Sequence, residues 1–345
     1  MIRKQRRSLR TRGLHLACGH AFVKRVLVGA SLLASLSSTH ATELVKLRSA
    51  DTQPAGYPTV LAVEFLADEL ARQTNGRITL KTYPGGQLGD EKATLEITIF
   101  GGIDLNRTSL GPLNSIVPET TVFSLPFLFR STDHMRKVVD SDIGNELLES
   151  LEPHGLIGLA FYDAGARSMY NRLRPIRTPD DMRGMKVRVM NSSVFVDMMA
   201  ALGANATPMS PGQVYESLAL GTIDGAENNW PTYSASGHFE VAPYYSLTQH
   251  LMVPEVLVMS KYRWEKLSPD DRLLIRKLAR ESVAVERRLW DERVEIAREK
   301  MIAAGVEVID DLDRAQFEEA MAPVYDKYLN EPSIRQLVER IHAVE

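Results

Sequence analysis

The sequence predicts an α/β fold, because candidate β-strands and amphipathic helices alternate along most of the chain. The alternation runs from Leu44 to Phe161 and then starts again at Arg167, so the pattern has two parts. A length of 345 residues corresponds to roughly two domains of ordinary size. No linker of low complexity separates the two parts, and we therefore expect two domains that are interleaved through several crossovers.

The first part of the pattern is clearest in its first helix. Apolar residues recur there at helical spacing, including Val60, Val63, Leu66 and Leu70, and Asn75-Gly76 ends the helix. The predicted elements of this part are the strand Leu44–Ser49, the helix Tyr57–Thr74, the strand Ile78–Tyr83, the helix Asp90–Phe100, the strand Ile103–Ser109, the helix Thr132–Glu152 and the strand Leu156–Phe161.

The second part contains two clear helix starts, Ser210-Pro211 and Ser268-Pro269. In each pair Ser is the N-cap and Pro the first helical residue. The helix after Pro269 is longer than most globular helices. The predicted elements are the strands Arg167–Asn171 and Met185–Val189, the helix Ser193–Leu202, a helix from Pro211 to Gly221, the strands Ile223–Ala226 and Glu255–Ser260, the helix Asp270–Ala303, the strand Val306–Ile309 and two short final helices.

The first 41 residues have the pattern of an export signal. They contain eight Lys and Arg residues and no acid, and the apolar run Val26–Leu36 follows the basic stretch. A run of about eleven residues is too short to cross a bilayer core as a helix, which takes about 20. We predict a signal peptide over 1–41, cleaved near Ala41, and an exported mature protein.

The charge of the remaining chain excludes some functions. Removing the eight basic residues of the signal leaves 33 Lys and Arg against 44 Asp and Glu, a formal net charge of −11. An acidic chain lacks the basic footprint that general nucleic-acid binding requires, so we expect no nucleic-acid partner. The one cysteine, Cys18, lies within the predicted signal, which excludes a disulfide framework and Cys-ligated metal sites from the mature protein.

Enzyme motifs are also missing. The mature chain has no G-x-S-x-G segment, no phosphate-binding glycine loop and no pair of histidines at metal-ligand spacing. Adjacent acids such as Asp180-Asp181 follow a proline, as expected for a turn or a first helical turn, and they project in different directions. We therefore predict no catalytic residue, no metal and no cofactor.

Six arginines lie between positions 167 and 188, and two of them stand apart from the rest. Arg172, Arg174, Arg177 and Arg183 fit a solvated basic surface, whereas Arg167 and Arg188 each lie in a strand-like segment. An arginine at a strand end can offer two parallel hydrogen bonds to a carboxylate. Spacing alone leaves a surface role and a ligand-binding role open for both.

Several segments resemble the periplasmic substrate-binding proteins of TRAP transporters, of the dicarboxylate-binding (DctP) type. They occur in the family's order and spacing, and the resemblance covers essentially all of 43–345. The segments are Tyr83–Asp90 (YPGGQLGD), Phe123–Phe127 (FSLPF), Pro179–Val189 (PDDMRGMKVRV), Leu202–Met209 (LGANATPM), Val214–Leu218 (VYESL) and Gly221–Asn228 (GTIDGAEN).

The resemblance implies a two-lobed periplasmic binding fold of the type II kind, with a ligand cleft at the hinge and a long helix that bridges the lobes. It implies that lobe I comprises 42–164 and about 252–290, and lobe II 165–251 and about 291–345. Arg188 maps to the arginine that pairs with the ligand carboxylate, and Arg167 and Asn228 map to further cleft residues. The remaining expected ligand contacts are Asn191, Asn229, Trp230, Gln87 and Tyr215.

The sequence departs from the family pattern near the predicted cleft. Met190 replaces the usual proline after Arg-Val, Gln213 replaces a glutamate, and Asn229-Trp230 precedes Pro231 where many members have proline directly after the asparagine. An added amide and an indole suit a polyhydroxylated ligand, and a packing role for Trp230 at a helix start stays equally open. Together with similarity to uronate-binding members in Leu110–Asn114 and Glu227–Pro231, this favours a hexuronate such as D-glucuronate or D-galacturonate.

Other functions stay open at this point. A four-carbon dicarboxylate or another small organic acid is the alternative ligand. An exported enzyme acting on acidic sugars is an alternative of another class, although the missing enzyme motifs weigh against it. A role in presenting the ligand to a membrane sensor is a third. For the transporter role, the resemblance implies the small and large subunits of a TRAP membrane permease as partners.

Overall fold

The computed structural model describes residues 44–345, and its strands form two separate mixed sheets. The strands are β1 (Val45–Ala50), β2 (Ile78–Tyr83), β3 (Leu105–Ser109), β4 (Leu156–Tyr162), β5 (Arg167–Asn171), β6 (Lys186–Val189), β7 (Asn205–Pro208), β8 (Gly225–Asn228), β9 (Tyr244–Leu251), β10 (Glu255–Ser260) and β11 (Glu307–Ile309). The first sheet has the order β2-β1-β3-β10-β4, and the second has the order β11-β9-β5-β8-β6-β7.

Helices pack around both sheets. They are α1 (Pro58–Gln73), α2 (Glu91–Ile99), α3 (Leu110–Leu113), α4 (Thr132–Asp140), α5 (Asp142–Glu149), α6 (Ser193–Ala201), α7 (Val214–Leu220), α8 (Trp230–Ala235), α9 (Lys261–Trp264), α10 (Pro269–Ala303), α11 (Arg314–Ala320), α12 (Ala322–Tyr328) and α13 (Pro332–His342). Short 3-10 helices lie at Pro118–Ser124, Glu152–His154, Pro179–Met182, Pro211–Gln213 and His238–Glu240.

The two sheets define two lobes joined by three crossovers. We call the body around the first sheet lobe I and the body around the second sheet lobe II. The chain passes from β4 to β5, returns from β9 to β10 and passes again along α10 to β11. At 35 residues α10 is about 52 Å long, and it packs on α1 and β4 of lobe I and on α8 of lobe II. The two-lobed α/β fold with a long bridging helix is thus confirmed.

Helix α10 also holds the first crossover in place. Its start is fixed by Ser268, whose side chain accepts a hydrogen bond from the Asp271 amide. In its middle, Glu286 is fully buried and its Oε2 accepts a hydrogen bond of 3.0 Å from the backbone amide of Asp163, the first residue after β4. Burial raises the pKa of Glu286 well above its ordinary value. The crossover is therefore tied directly to the bridging helix.

The single helix predicted over Thr132–Glu152 is wrong, because the structure has two helices there. Ser141 adopts an extended backbone between α4 and α5, and its Oγ accepts a hydrogen bond from the Ile143 amide at the start of α5. The helices then pack so closely that a Cβ at Gly144 would lie 2.0 Å from the Val139 carbonyl oxygen. Serine competes for backbone hydrogen bonds and favours caps, which explains the break.

The C-terminal region contains three helices where two were predicted, and the last one contacts lobe I. Arg130 donates hydrogen bonds to the carbonyls of His342 and Val344, and Arg340 forms an ion pair with Glu146 of α5. The placement of 291–345 in lobe II therefore needs correction for α13, which bonds to residues of lobe I. The other predicted lobe boundaries stay predictions.

The predicted signal peptide, 1–41, lies outside the described residues. Among the helices of residues 44–345, none combines the length and the hydropathy needed to cross a bilayer.

Candidate functional site

Strand ends from both sheets meet at one cavity of about 300 Å³ between the lobes. On the lobe I side, Thr52 follows β1, Gly85 follows β2 and Ser109 ends β3. On the lobe II side, Arg188 lies near the end of β6 and Asn228 ends β8. Ligands of open α/β sheets bind beyond the carboxyl ends of the strands, and this cavity occupies that place in both sheets.

Arg167 in the lobe II wall is already paired with a carboxylate. Its Nε lies 2.5 Å from Glu227 Oε2 and its Nη2 2.9 Å from Glu227 Oε1, while Nη1 donates to Asn228 Oδ1 at 3.0 Å. Burial opposes the ionised form of Glu227, but the Arg167 guanidinium outweighs it and holds the pKa of Glu227 at about 2. Arg167 Nη2 also donates to the carbonyl oxygen of Glu227 at 2.9 Å. Arg167 therefore positions Asn228, and one of its five N–H groups, on Nη1, has no partner within residues 44–345.

Arg188 differs from Arg167 because it has no carboxylate partner among residues 44–345. Its side chain lines the cavity and is only 4% exposed. Nε and Nη2 donate to the carbonyl oxygen of Met209 at 3.0 and 2.7 Å, which uses two of the five N–H groups. Burial lowers the pKa of Arg188, although guanidinium stays charged. The wall thus contains a desolvated cation, fixed in orientation, whose other three N–H groups have no partner in the described part of the chain.

Beside Arg188 lies His238, which sequence reasoning did not select. It is buried in the cavity wall, and its Nδ1 lies 2.7 Å from the hydroxyl of Tyr170. Burial, with the Arg188 charge in support, lowers the pKa of His238 to about 4. The imidazole is neutral near pH 7 and presents a polar ring beside the arginine.

The lobe I wall has the opposite charge. Arg107 is fully buried behind it and forms ion pairs with the three carboxylates of Asp51, Glu91 and Glu255. Of these, Glu91 and Glu255 line the cavity. Burial raises the pKa of Glu255 above its ordinary value despite the opposing effect of Arg107. One guanidinium among three acids leaves this wall acidic.

Each of the two lining glutamates has an acceptor to spare. Glu91 Oε1 accepts from Arg107 and from the Ser109 amide, and Glu255 Oε2 accepts from Arg107. Within residues 44–345, no hydrogen bond reaches Glu91 Oε2 or Glu255 Oε1. Across the cleft, Asn228 Nδ2 is likewise without a bond inside that range. The cavity therefore offers a cationic donor on one wall and acceptors for hydroxyl groups on the other.

The lobes also touch each other around the cavity. Tyr57 of lobe I and Thr232 of lobe II share a hydrogen bond of 2.9 Å between their hydroxyls. At the rim, Ser210 Oγ donates to Asp90 Oδ2 at 2.9 Å. A ligand between the walls would therefore be enclosed by direct contacts between the lobes.

The structure brings four of the predicted site residues together. Arg167, Arg188, Asn228 and Tyr215 all line the cavity. Tyr215 lies at its rim, where its hydroxyl donates a hydrogen bond of 2.9 Å to Glu240. These four positions correspond to strand ends or to the helix that starts after Pro211, as the family segments imply.

Two other predicted residues, Asn229 and Trp230, lie away from this cavity. The short helix α8 begins here: Asn229 caps it through the Thr232 amide and also donates to the Ala164 carbonyl, so its amide has structural partners. Trp230 stacks on Tyr245 with ring centroids 3.9 Å apart and lines a separate cavity beside α10. Because the chain turns into α8 at this point, the structure places neither residue in this cavity, in contrast to the expectation from the sequence.

Asn191 and Gln87 are placed elsewhere as well. Asn191 lines a neighbouring cavity of about 560 Å³, and Gln87 is exposed in the turn before α2. In contrast, Glu91, Glu255 and His238 were missed. Glu91 follows the segment Tyr83–Asp90 directly, which was an available signal, whereas the other two reach the cavity only through the sheet order and the packing of Tyr170.

The sequence matches the family of bacterial extracellular solute-binding proteins, family 7 (DctP), over residues 49–331. A solute-binding protein of Chromohalobacter salexigens is 42% identical over 313 residues, which cover 90% of this chain and 93% of that protein.

Two solved structures are similar throughout their length. A TRAP periplasmic solute-binding protein from Xanthobacter autotrophicus Py2, with bound β-D-galacturonate, has a TM-score of 0.85 and 48% identity and covers 87% of this chain and 100% of its own. One from Pseudomonas putida F1, with bound D-glucuronate, has a TM-score of 0.85 and 43% identity and covers 87% and 98%. The members compared are solute-binding proteins and not enzymes. The chain belongs to the DctP family of extracellular solute-binding proteins.

Proposed function

We propose that this protein is the extracytoplasmic receptor of a TRAP transporter and that it binds a hexuronate, D-galacturonate or D-glucuronate. The observation that carries the proposal is the buried guanidinium of Arg188, which lines the cavity without a carboxylate partner among residues 44–345. A desolvated charge is costly unless it is paired, so the site is built for an anion. A ligand carboxylate supplies that anion and accepts two parallel hydrogen bonds from the guanidinium.

The opposite wall selects the rest of the ligand. Sugar hydroxyls can donate to the free oxygens of Glu91 and Glu255, while the free amide of Asn228 can donate to a sugar oxygen. A four-carbon dicarboxylate would place its second negative charge near the two glutamates, and like charges in contact cost several kcal/mol. The two walls therefore favour an acid with one carboxylate and several hydroxyls. Asn229 and Trp230 take no part in this selection, because they line a different cavity.

The relatives point to the same ligand class. The similar proteins of Xanthobacter autotrophicus and Pseudomonas putida hold galacturonate and glucuronate. These sugars differ only in the orientation of one hydroxyl, and both present one carboxylate and a ring of hydroxyls. Such a ligand satisfies the cationic wall and the acidic wall together.

Binding couples to closure of the lobes. A ligand held by Arg188 in lobe II and by Glu91 or Glu255 in lobe I stabilises the form in which the lobes touch. The shift towards that form is limited by the ligand's preference for closed over open protein. Closure is then the signal that a membrane partner can recognise. We propose that this partner is a TRAP permease of small and large subunits, and that the receptor reaches the periplasm through cleavage of the signal near Ala41.

The function is tested by a thermal-shift screen of the purified protein after removal of any retained ligand by unfolding and refolding. The compounds are D-galacturonate, D-glucuronate, succinate, pyruvate and benzoate, each at the same concentration. We expect a rise in melting temperature with at least one uronate and none with succinate. No rise with either uronate, or a larger rise with succinate, would contradict the proposal.

A further inference from the structure

Met190 lies between the lobes, directly after β6 and two residues from Arg188. It is 5% exposed and lines the ligand cavity from lobe II. Its Sδ lies 3.3 Å from Ser109 Oγ at the end of β3 in lobe I. Its Cβ, Sδ and Cε would each lie 3.3 Å from a Cβ added at Gly111. The side chain therefore spans the gap between the lobes and rests on lobe I.

Gly111 makes this contact possible by its small size. Its φ lies outside the left-handed region, so the backbone at this position in α3 accommodates any L-residue. The need for glycine here is therefore one of space. A larger side chain would meet Met190, including the Cβ that is fixed to the strand end.

A second cavity is lined by the residues that follow Met190 in the chain, whereas Met190 itself lines only the first cavity. The volume of the second cavity is about 560 Å³, and Asn191 and Ser192, the next residues along the chain, line it from lobe II. Asn114, three residues after Gly111, lines it from lobe I and donates a hydrogen bond of 2.8 Å to Ser192 Oγ. Arg188 and Met190 thus face the first cavity, and Asn191 and Ser192, which follow them directly in the chain, face the second.

We propose that Met190, seated against Gly111 and Ser109, is the wall that divides the interlobe cleft and limits the ligand to a single acidic sugar ring. The inference rests on the proposed function and adds the size limit of the ligand. The first cavity, at about 300 Å³, lies at the lower end of the roughly 300–1,000 Å³ typical of ligand pockets. The second cavity carries the polar side chains of Asn191, Asp197 and Lys327, which suit the hydroxyls of a second ring.

The wall is tested by titration calorimetry with D-galacturonate and with its α-1,4-linked dimer, digalacturonate. We expect the unaltered protein to bind the dimer roughly 5- to 150-fold more weakly than the monomer. Met190→Ala joins the two cavities, and we expect it to gain affinity for the dimer by roughly 5- to 150-fold, the factor given by removal of an overpacking clash. Met199→Ala is the matched control, because it removes an equally buried methionine from the core of lobe II and leaves the wall in place.

A second variant tests the same contact from lobe I. Gly111→Val places a side chain against Met190, and we expect it to weaken D-galacturonate binding by a similar factor and Met190→Ala to restore it in the double variant. Thermal unfolding of the ligand-free variants checks that they fold.

Three results would overturn the inference: dimer binding by the unaltered protein as tight as its monomer binding, no gain of dimer binding in Met190→Ala, or the same gain in Met199→Ala. If the unaltered protein bound neither sugar, the proposed function itself would fail, which is a separate outcome.

Discussion

Replacing Arg188 by alanine should abolish tight ligand binding while sparing the fold. The guanidinium is 4% exposed, its only protein partner within residues 44–345 is the Met209 carbonyl, and three N–H groups remain for the ligand. Truncating one partner of a desolvated, hydrogen-bonded charge pair costs about 2–5 kcal/mol. That range corresponds to a loss of affinity of roughly 30- to 4,000-fold.

The same structure predicts a small effect on the ligand-free protein. Arg188→Ala strands no buried carboxylate, because within the described chain Arg188 bonds only to the Met209 carbonyl. Arg188→Lys keeps the charge but loses the two-pronged hydrogen bonding, so its affinity should lie between those of alanine and arginine. Calorimetry with D-galacturonate and thermal unfolding without ligand measure both effects. Wild-type affinity in Arg188→Ala, or a fold lost without ligand, would refute the reasoning.

The remaining predictions concern residues around the site and at the C-terminus. Arg167→Ala leaves Glu227 buried without its cation and should lower the free energy of unfolding by about 3–5 kcal/mol, whereas an unchanged denaturant midpoint would contradict this. Because the pKa of His238 is near 6.5 in the unfolded chain and about 4 in the folded chain, the free energy of unfolding should fall by up to about 3 kcal/mol as the pH is lowered from 6.5 to 4. His238→Gln should reduce this dependence of stability on pH. An unchanged dependence in the variant would contradict the prediction. Arg130→Ala removes the hydrogen bonds to His342 and Val344 and should speed amide exchange in α13 but not in α1, with a loss of about 1 kcal/mol.

The arginines and the asparagine of lobe II could be predicted because their positions follow from local patterns. Arg167, Arg188 and Asn228 lie in short strands that the sequence indicates, within segments typical of the family. Pairing of β5 with β8 sets Ser168 opposite Asn228, and pairing of β6 with β8 sets Arg188 opposite Ala226. The three side chains therefore lie on neighbouring inner strands of the second sheet, at the strand ends where ligands of α/β proteins bind.

The acidic wall could not be predicted in the same way. Asp51, Glu91 and Glu255 come from distant parts of the chain, and they meet around Arg107 because β10 lies between β3 and β4. This insertion is a property of sheet order, which depends on contacts far apart in sequence. A charge pattern read along the chain contains no sign of it.

Asn229 and Trp230 lie away from the cavity because the chain turns into a helix directly after Asn228. They follow Asn228 directly, and a continuing strand would have kept one of them near the cavity. Instead Asn229 caps α8, and the chain turns so that Trp230 packs on Tyr245 of β9. Asparagine caps and a proline at the second helical position are recognisable helix signals. In this segment the helix signals predict the position of Asn229 and Trp230 better than their suitability for binding a sugar does.

The most direct test of the central claim is a double-mutant cycle between Arg188 and the ligand carboxylate. Calorimetry would compare the unaltered protein and Arg188→Ala, each with D-galacturonate and with its methyl ester, which keeps the hydroxyls but carries no charge. We predict a coupling free energy of about 2–5 kcal/mol between the guanidinium and the carboxylate. A coupling near zero, with the acid and the ester losing affinity equally, would contradict the claim that Arg188 binds the carboxylate.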